Sequence, residues 1–314
     1  MNKQPYPQIF FTDLDGTLLT TDKKITPATM DALGQWTEAG NKLALSSGRA
    51  IESVNHVRTT LGLDFPGMYL IGCNGSEIYD CDSNTVISRT ALTFPQTALI
   101  METARQQGVH CHTYTDTHII SPADTEELHY YRRGILTPVI ICEDVLSALD
   151  KEPCKCIAIE IHEKEKLEHF RQTLLPLVKE EVSLLYSNDQ YLEIFPGSSG
   201  KGSAIQKLCS LLNIPLSRTI AAGDEANDIS MLQAAALGIA MSNAKNYVKQ
   251  AANLITETDN VTSGFVSVGA KKGDVARFYE IQQREFIESG DVERAVPVGQ
   301  YVLLDNMVKA GGGV

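Results

Sequence analysis

The 314-residue sequence contains no long apolar run, and none of its segments approaches the roughly 20 residues that a membrane-spanning helix needs. Its first residues, MNKQPYPQIFF, contain no apolar core followed by a small-residue cleavage site, so we expect no secretory signal. The seven cysteines form no CxxC pair and no spacing typical of a disulfide framework, which predicts reduced thiols. Together these absences predict a folded protein of the cytoplasm.

Basic residues are also scarce, because 27 lysines and arginines stand against 39 acidic residues and leave a net charge of −12. A field of that sign repels nucleic-acid phosphates and anionic membrane surfaces, so neither is expected as a partner. An anionic small molecule can bind only where a metal ion or a few cations reverse the sign locally. The sequence gives no indication of the oligomeric state.

Short apolar strands alternate with helices in the first 85 residues and again after residue 190. Thr26-Pro27 is typical of a helix start, with threonine as the N-cap and proline at the first helical position. This alternation predicts βαβ units and therefore a parallel sheet. The predicted core strands are Ile9–Phe11, Lys42–Leu45, Gly67–Ile71, Tyr191–Phe195, Thr219–Ala222 and Gly238–Met241.

Residues 86–190 have a different pattern, in which amphipathic helices alternate with strands of alternating polarity. This pattern predicts an α+β insert rather than a continuation of the parallel sheet. We therefore divide the chain into a first core part at 1–85, the insert at 86–190, a second core part at 191–268 and a C-terminal extension at 269–314. In the extension, Asp274–Glu288 forms either an added helix or part of an unstructured tail with a frayed end.

The segment Asp13-Leu14-Asp15-Gly16-Thr17 carries the strongest chemical signal. Two carboxylates two residues apart at the carboxyl end of a buried strand repel each other and lose hydration, which is costly unless a cation binds there. Mg²⁺ prefers such oxygen ligands, and α/β proteins bind ligands at the open end of a parallel sheet. The alternative, an Asx turn that closes the strand, explains one aspartate and the glycine but not both acids.

Three further loops follow predicted strands and should meet at the same edge of the sheet. Ser46–Arg49 offers a hydroxyl, backbone amides and a guanidinium to a phosphate, although an N-cap at Ser47 explains the loop better when it is taken alone. Gly197–Gly202 offers Lys201, for which a solvated surface position is the alternative. Gly223–Asp228 adds acids four residues apart, with an N-cap as the alternative role of the last one. Jointly, surplus carboxylates with a lysine are what a divalent cation and a phosphate ester require.

Four motifs in order, DLDGTLL at 13–19, SSGR at 46–49, GKG at 200–202 and GDEANDISML at 223–232, give the chain a family resemblance. It resembles the haloacid dehalogenase-like hydrolase superfamily and is most similar to the Cof-type phosphatases. The resemblance covers roughly residues 8–84 and 190–265. It implies an α/β fold with a Rossmann-like parallel-sheet core and an inserted α+β cap at 86–190. Ser47 stands where the family usually has threonine, and Glu225-Ala226 lacks a glycine that is frequent in that pair.

By that resemblance, Asp13 is the nucleophile that forms an aspartyl-phosphate, and Asp15 is the general acid–base for the leaving alcohol and the attacking water. The implied cofactor is Mg²⁺, to which Asp15 would contribute its backbone carbonyl. The residues implied as metal ligands or as their support are Asp13, Asp15, Asp224 and Asp228. The residues implied as phosphate-binding are Leu14, Ser47, Gly48, Lys201 and Asn227.

The sequence thus predicts a Mg²⁺-dependent phosphatase of small phosphate monoesters, such as a sugar phosphate, a nucleotide or a cofactor phosphate. A phosphosugar mutase is the alternative enzyme, and a non-catalytic sensor of a phosphorylated metabolite is disfavoured because binding alone needs no acid–base residue. The cap is expected to exclude water and to select the leaving group. Candidate cap contacts are Tyr130, Tyr131, Arg132 and Arg133, for which a solvated helix face is the favoured alternative.

Overall fold

The computed structural model describes residues 7–133, 135–257 and 259–260, together with the backbone of 268–269. These residues form two sheets, one of nine described strands and one of six. Among the helices in this part of the chain, none combines the length and the apolar composition needed to span a bilayer. The helix predicted at Asp274–Glu288 lies outside the described residues.

The larger sheet is mostly parallel, as the alternation of strands and helices predicts. Its strands are β1 (Ile9–Thr12), β2 (Lys42–Ser46), β3 (Met68–Gly72), β4 (Glu77–Asp80), β5 (Thr85–Arg89), β12 (Thr219–Gly223), β13 (Leu237–Ala240), β14 (Leu254–Thr256) and β15 (Val268–Gly269). Their spatial order is β15-β14-β13-β12-β1-β2-β3-β4-β5, and the six strands from β14 to β3 run parallel. The carboxyl ends of β1, β2 and β12 therefore meet at one edge.

Helices cover both faces of this sheet, and the alternating side chains of β1 show which face is which. Phe10 packs on one side with Trp36, whereas Ile9 and Phe11 pack on the other with Leu208, as the period of two in a strand requires. The helices are α1 (Pro27–Glu38) and α2 (Ile51–Thr60) on the first face and α6 (Lys201–Leu212), α7 (Ile229–Ala234) and α8 (Asn246–Ala251) on the second. α1 begins as predicted, with Thr26 accepting a hydrogen bond from the Thr29 backbone N–H.

The second sheet is formed by the insert and is largely antiparallel. Its strands are β6 (His110–Tyr114), β7 (Ile119–Ser121), β8 (Val139–Ile141), β9 (Cys156–Ile159), β10 (Val182–Asn188) and β11 (Tyr191–Pro196), in the order β10-β11-β9-β6-β7-β8. α3 (Phe94–Gln106) and α5 (Lys164–Val178) pack on one face, where Cys111 lies. The short helix α4 (Glu126–Arg132) packs on the opposite face, where Leu128 and Tyr131 contact Tyr114.

The predicted boundaries of the insert need correction at both ends. β5 pairs with β4 in the core sheet, so the core continues past residue 85. β11 was expected to resume the core at residue 191, but it pairs antiparallel with β9 and β10 in the second sheet. An apolar strand pattern shows that a strand forms without showing which sheet it joins. We therefore propose an inserted cap between about residue 90 and about residue 196, with the core resuming at the loop before α6.

Candidate active site

Lys201 is the centre of the site. It is the first residue of α6, only 1% exposed, and its Nζ donates to Asp13 Oδ1 at 2.6 Å and to Asp228 Oδ1 at 2.5 Å. Asp13 directly follows β1, and Asp228 follows β12 through a short loop. The solvated surface position considered for Lys201 is therefore wrong. The loop that carries it follows a strand of the second sheet, so the lysine comes to the core edge through α6 and not through a core strand end.

Asp13, Asp224 and Asp228 form a buried carboxylate cluster, in which one oxygen of each lies within 4.8 Å of the others. Asp224 Oδ1 accepts a hydrogen bond from the Thr17 hydroxyl at 2.6 Å. Burial and the neighbouring carboxylates raise the pKa of Asp13 well above its usual range, although Lys201 opposes the shift. Burial likewise raises the pKa of Asp224 to about 7. Both carboxylates are therefore costly to keep ionised at this buried position, and a bound cation would favour their charged forms.

Asp228 uses both of its oxygens within the protein. Oδ1 accepts from Lys201, and Oδ2 accepts from the backbone N–H groups of Asp224 and Glu225, each at 3.0 Å. This leaves Asp13 and Asp224 as the carboxylates with more free capacity for a ligand. The geometry therefore favours Asp228 as the residue that fixes Lys201 and the acidic loop, which is the supporting role that the resemblance implied.

The Asp15 side chain is not part of the carboxylate cluster. Its oxygens accept from Arg49 Nε at 2.9 Å, from Arg49 Nη2 at 2.8 Å and from Lys23 Nζ at 2.6 Å. Burial alone would raise the pKa of Asp15, but Arg49 and Lys23 outweigh it and lower that pKa. Arg49 was considered as a phosphate ligand because of its guanidinium, yet in this structure it holds Asp15.

Three of the five expected phosphate-binding residues, Ser47, Asn227 and Leu14, have different surroundings in the structure. Ser47 follows β2 without capping α2, whose N-cap is Ala50, and its hydroxyl accepts from the Arg49 backbone N–H at 3.2 Å. Asn227 donates to Asn74 Oδ1 at 3.1 Å, which ties the β12 loop to the β3 loop. The Leu14 side chain is fully buried in the core, so only the backbone of Leu14 could contact a phosphate, and that role stays a prediction.

A cavity of about 770 Å³ lies between these core residues and the second sheet. Asp13, Asp15, Ser47, Gly48 and Asn227 contribute to its core side. Its other wall includes Tyr130, Tyr131, Arg133, Lys155 and Glu193 from the inserted cap. Of the four cap residues considered from sequence, Tyr131 is buried and Tyr130 half-buried at the cavity, so the solvated face is wrong for Tyr131. Arg133 lines the cavity but is exposed, and Arg132 is exposed and does not line it.

Sequence reasoning missed several residues that shape the site. Lys155 is 1% exposed and donates both to Glu193 Oε2 and to the Gly48 carbonyl, each at 2.8 Å, so it links the cap to the Ser47–Gly48 loop. Asn243 donates to the Gly16 carbonyl at 2.9 Å. The pairing of Asp15 with Arg49 and Lys23 also depends on tertiary packing. In the sequence Lys155 stands between Cys154 and Cys156, and nothing in that pattern indicates its contacts with Gly48 and Glu193.

A mostly parallel sheet with an acidic site at its carboxyl edge and a second sheet inserted above that site is the architecture of a capped α/β hydrolase. The chain belongs to the haloacid dehalogenase-like hydrolases, since the sequence profile of that family matches residues 10–268. Within the family it is of the Cof type, and its relatives include named phosphatases. The fold and the family expected from the four motifs are thereby confirmed.

Relatives cover most of the chain. A pyridoxal phosphate phosphatase of Escherichia coli is 29% identical over 262 residues, which are 80% of this chain and 93% of that protein. A 5-amino-6-(5-phospho-D-ribitylamino)uracil phosphatase of Bacillus subtilis is 27% identical over 79% of this chain and 92% of that protein. The crystal structure of a haloacid dehalogenase-like hydrolase from Bacteroides thetaiotaomicron matches with a TM-score of 0.75 at 25% identity, covering 82% of this chain and 97% of that chain.

Gly16 is expected to be essential to the acidic site, and Gly40 provides a matched control. Both have left-handed φ angles, +88° and +84°, but a Cβ on Gly16 would lie 2.3 Å from Asp224 Oδ2, whereas a Cβ on Gly40 meets nothing within 4 Å. Gly40→Ala should lower the free energy of unfolding by about 1 kcal/mol through backbone strain alone. Gly16→Ala should lower it further and should also abolish turnover of p-nitrophenyl phosphate. Equal effects of the two variants on stability and turnover would contradict this account.

Proposed function

We propose that this chain is a Mg²⁺-dependent phosphatase that hydrolyses small phosphate monoesters through an aspartyl-phosphate on Asp13. The observation that carries the proposal is the buried contact of Lys201 with Asp13 and Asp228, because it places one cation beside a carboxylate that faces the cavity. A structural ion pair would satisfy one carboxylate with one lysine. Here Lys201 donates to two carboxylates and a third, that of Asp224, lies beside them, which leaves negative charge for a further cation.

Asp13 is the nucleophile in this proposal. One of its carboxylate oxygens attacks phosphorus in line, the bond from phosphorus to the ester oxygen breaks, and the phosphoryl group stays on Asp13. Lys201 orients the attacking carboxylate and neutralises charge that collects on the phosphoryl oxygens. Asp228 keeps Lys201 in place and charged, since its carboxylate raises the pKa of the lysine together with Asp13, against the effect of burial.

Asp15 moves the protons. It gives a proton to the departing alcohol oxygen and then takes one from the water that attacks the phosphoaspartate, so that the second displacement restores Asp13 and releases inorganic phosphate. Arg49 and Lys23 orient its carboxylate and lower its pKa in the free protein, so the first transfer requires that Asp15 takes up a proton from solvent as the ester binds. The Ser47 hydroxyl, the Gly48 backbone N–H and the Asn227 amide are the proposed contacts of the phosphoryl oxygens.

The carboxylate cluster fits a Mg²⁺ ion by the chemistry of its donors. Hard divalent cations take carboxylate and carbonyl oxygens, and three buried carboxylates here each bring an oxygen within 4.8 Å of the others. Asp13 and Asp224 would hold the ion with their side chains, and Asp15 with its backbone carbonyl. The ion would supply charge neutralisation at the phosphoryl group.

The affinity of the protein for Mg²⁺ is expected to depend on the Asp224 carboxylate. Asp224→Asn removes one ligand charge, so the Mg²⁺ concentration that gives half-maximal release of p-nitrophenol should rise about tenfold or more. Asp22→Asn is the control, because Asp22 is an exposed residue that pairs with Lys24. EDTA should stop turnover of both the parent and the control. Equal Mg²⁺ dependence of the two variants would contradict a metal site at Asp224.

The site residues define the phosphate group of the substrate better than they define its leaving group. Two relatives are phosphatases of pyridoxal phosphate and of a phosphorylated ribitylaminouracil, which supports a small phosphorylated metabolite for this chain. The cavity of about 770 Å³ is large enough for a sugar phosphate, a nucleotide or a cofactor phosphate. Release of free phosphate without an isomerised sugar phosphate separates this function from that of a phosphosugar mutase. A cytoplasmic location remains a prediction from the sequence.

A further inference from the structure

A continuous chain of hydrogen bonds, buried except at its Thr125 end, crosses the cap and ends at the cavity. It runs from the Thr125 hydroxyl to His110 Nδ1 at 2.9 Å, and from His110 Nε2 to His112 Nδ1 at 3.0 Å. It continues from His112 Nε2 to the Tyr114 hydroxyl at 3.0 Å and from there to the Tyr131 hydroxyl at 2.6 Å. Tyr131 lines the cavity. We call these five residues the cap chain.

The cap chain arises from a regular strand. His110, His112 and Tyr114 alternate along β6, so all three project from the face that α4 covers. Tyr131 comes from α4 and Thr125 is the N-cap of that helix. The two histidines of this strand take part neither in the carboxylate cluster nor in the phosphate-binding loops. Polar residues buried at this density are normally retained only where every hydrogen-bonding group has a partner.

The two histidines are neutral, because burial lowers the pKa of His110 to about 4 and lowers that of His112 well below its usual range. A neutral imidazole carries one N–H and one acceptor nitrogen. Each ring must therefore accept from one side of the cap chain and donate to the other. As a result, all the protons of the chain point either toward Tyr131 or toward Thr125.

Thr125 favours one direction. Its hydroxyl oxygen accepts from the Leu128 backbone N–H at 3.3 Å, as an N-cap does, and could accept a second hydrogen bond. Among the described residues, however, His110 Nδ1 is the one acceptor within hydrogen-bond distance of the Thr125 proton, so the arrangement in which Thr125 donates leaves no proton without a protein partner. With Thr125 donating, His110 donates to His112, His112 to Tyr114 and Tyr114 to Tyr131. The oxygen of Tyr131 is then an acceptor inside the cap, and its own proton is left for the cavity.

We propose that Tyr131 is a specificity-determining residue that donates a hydrogen bond to an acceptor atom on the leaving group, and that His110, His112 and Tyr114 are positioning residues that hold its hydroxyl in this orientation. The proposal rests on the proposed phosphatase function, and it states which kind of leaving group the cap would prefer. The preferred leaving group carries a hydroxyl, carbonyl or ring-nitrogen acceptor beside a face that packs on aromatic rings. Tyr191 supplies such a ring, with its centroid 5.5 Å from that of Tyr131.

The test compares substrates with and without an acceptor on the leaving group. The probes are pyridoxal 5′-phosphate, D-ribose 5-phosphate and D-glucose 6-phosphate, with phenyl phosphate as the ester whose ring carries no acceptor. At least one of the first three should exceed phenyl phosphate in kcat/KM. Tyr131→Phe should lower the ratio of those two kcat/KM values by about tenfold, the effect of one lost hydrogen bond. An unchanged ratio, or a preference for phenyl phosphate in the parent protein, would overturn the proposal.

The positioning role is tested by a double-mutant cycle. Tyr114→Phe should reduce the same ratio, and the double variant with Tyr131→Phe should reduce it no further, because both act through one hydroxyl. Independent, additive reductions would overturn the role of the cap chain. Tyr186→Phe is the matched control, since Tyr186 is a cap tyrosine whose hydroxyl donates to Glu168 away from the cavity. Thermal unfolding of each variant separates a lost fold from a changed preference.

Failure of the proposed function gives a different pattern from failure of this inference. If no ester releases phosphate in the presence of Mg²⁺, the phosphatase mechanism is wrong, and binding of the same four probes is measured by calorimetry instead. Weaker binding of the acceptor-bearing ester by Tyr131→Phe, with phenyl phosphate less affected, still supports the contact. Equal binding of all probes by the parent protein and the variant overturns it.

Discussion

Asp13→Asn is expected to lower kcat for p-nitrophenyl phosphate by a factor of about 10³ or more. The amide has nearly the shape of the carboxylate and can still accept from Lys201, but it is a poor nucleophile toward phosphorus. The loss should therefore appear in kcat, while the thermal unfolding temperature stays close to that of the parent protein or rises, because one buried negative charge has been removed from the cluster.

Asp31→Asn is the control for this substitution. Asp31 is an exposed residue of α1 on the core, and its replacement changes the net charge by the same amount. It should leave kcat and KM unchanged. Substantial turnover by Asp13→Asn, above the level of contaminating phosphatase in a mock purification, would show that Asp13 is not the nucleophile.

Lys201→Met is expected to lower both stability and activity. The substitution leaves the buried Asp13 and Asp228 without their cation, and removing one partner of a buried ion pair typically costs about 3 to 5 kcal/mol. Lys207→Met is the matched control, since Lys207 lies on the same helix but is exposed. Denaturant unfolding in EDTA measures the cost without a contribution from bound metal.

The stability loss of Lys201→Met should depend on pH. Burial already raises the folded-state pKa of Asp13 above its unfolded value, and removing Lys201 raises it further. A folded state that binds more protons than the unfolded state loses stability as pH rises, so the loss should be larger at about pH 8 than at about pH 5. A loss that is equal at both pH values, or one no larger than that of Lys207→Met, would contradict a charged buried network.

The core was predictable because its signals are local. An apolar strand followed by polar residues marks the carboxyl edge of a parallel sheet, and Asp13 and Asp224 were both placed by that rule. The Thr26-Pro27 helix start is equally local. The membership of β11 was not predictable, because its alternating pattern fits either sheet and the choice depends on pairing with β9.

Motifs predicted which residue types lie at the sheet edge, but not how their side chains pair. For Lys201 the sequence alone also allowed an exposed surface position, whereas the structure buries it between two aspartates. The pairing of Asp15 with Arg49 joins two motifs across the cavity edge and has no signal in either one. The cap wall was the least predictable part, because Lys155 and Glu193 meet there only through the pairing of neighbouring strands.

The most direct test of the account is mass spectrometry of the protein after acid quench during turnover of p-nitrophenyl phosphate. With Mg²⁺ present, the account predicts a phosphoryl group on the peptide that contains Asp13, and its absence in EDTA. Asp15→Asn should increase the phosphorylated fraction, because the proton acceptor for the second step is removed. Turnover in which neither the parent protein nor Asp15→Asn ever carries a phosphoryl group on that peptide would contradict a covalent step at Asp13.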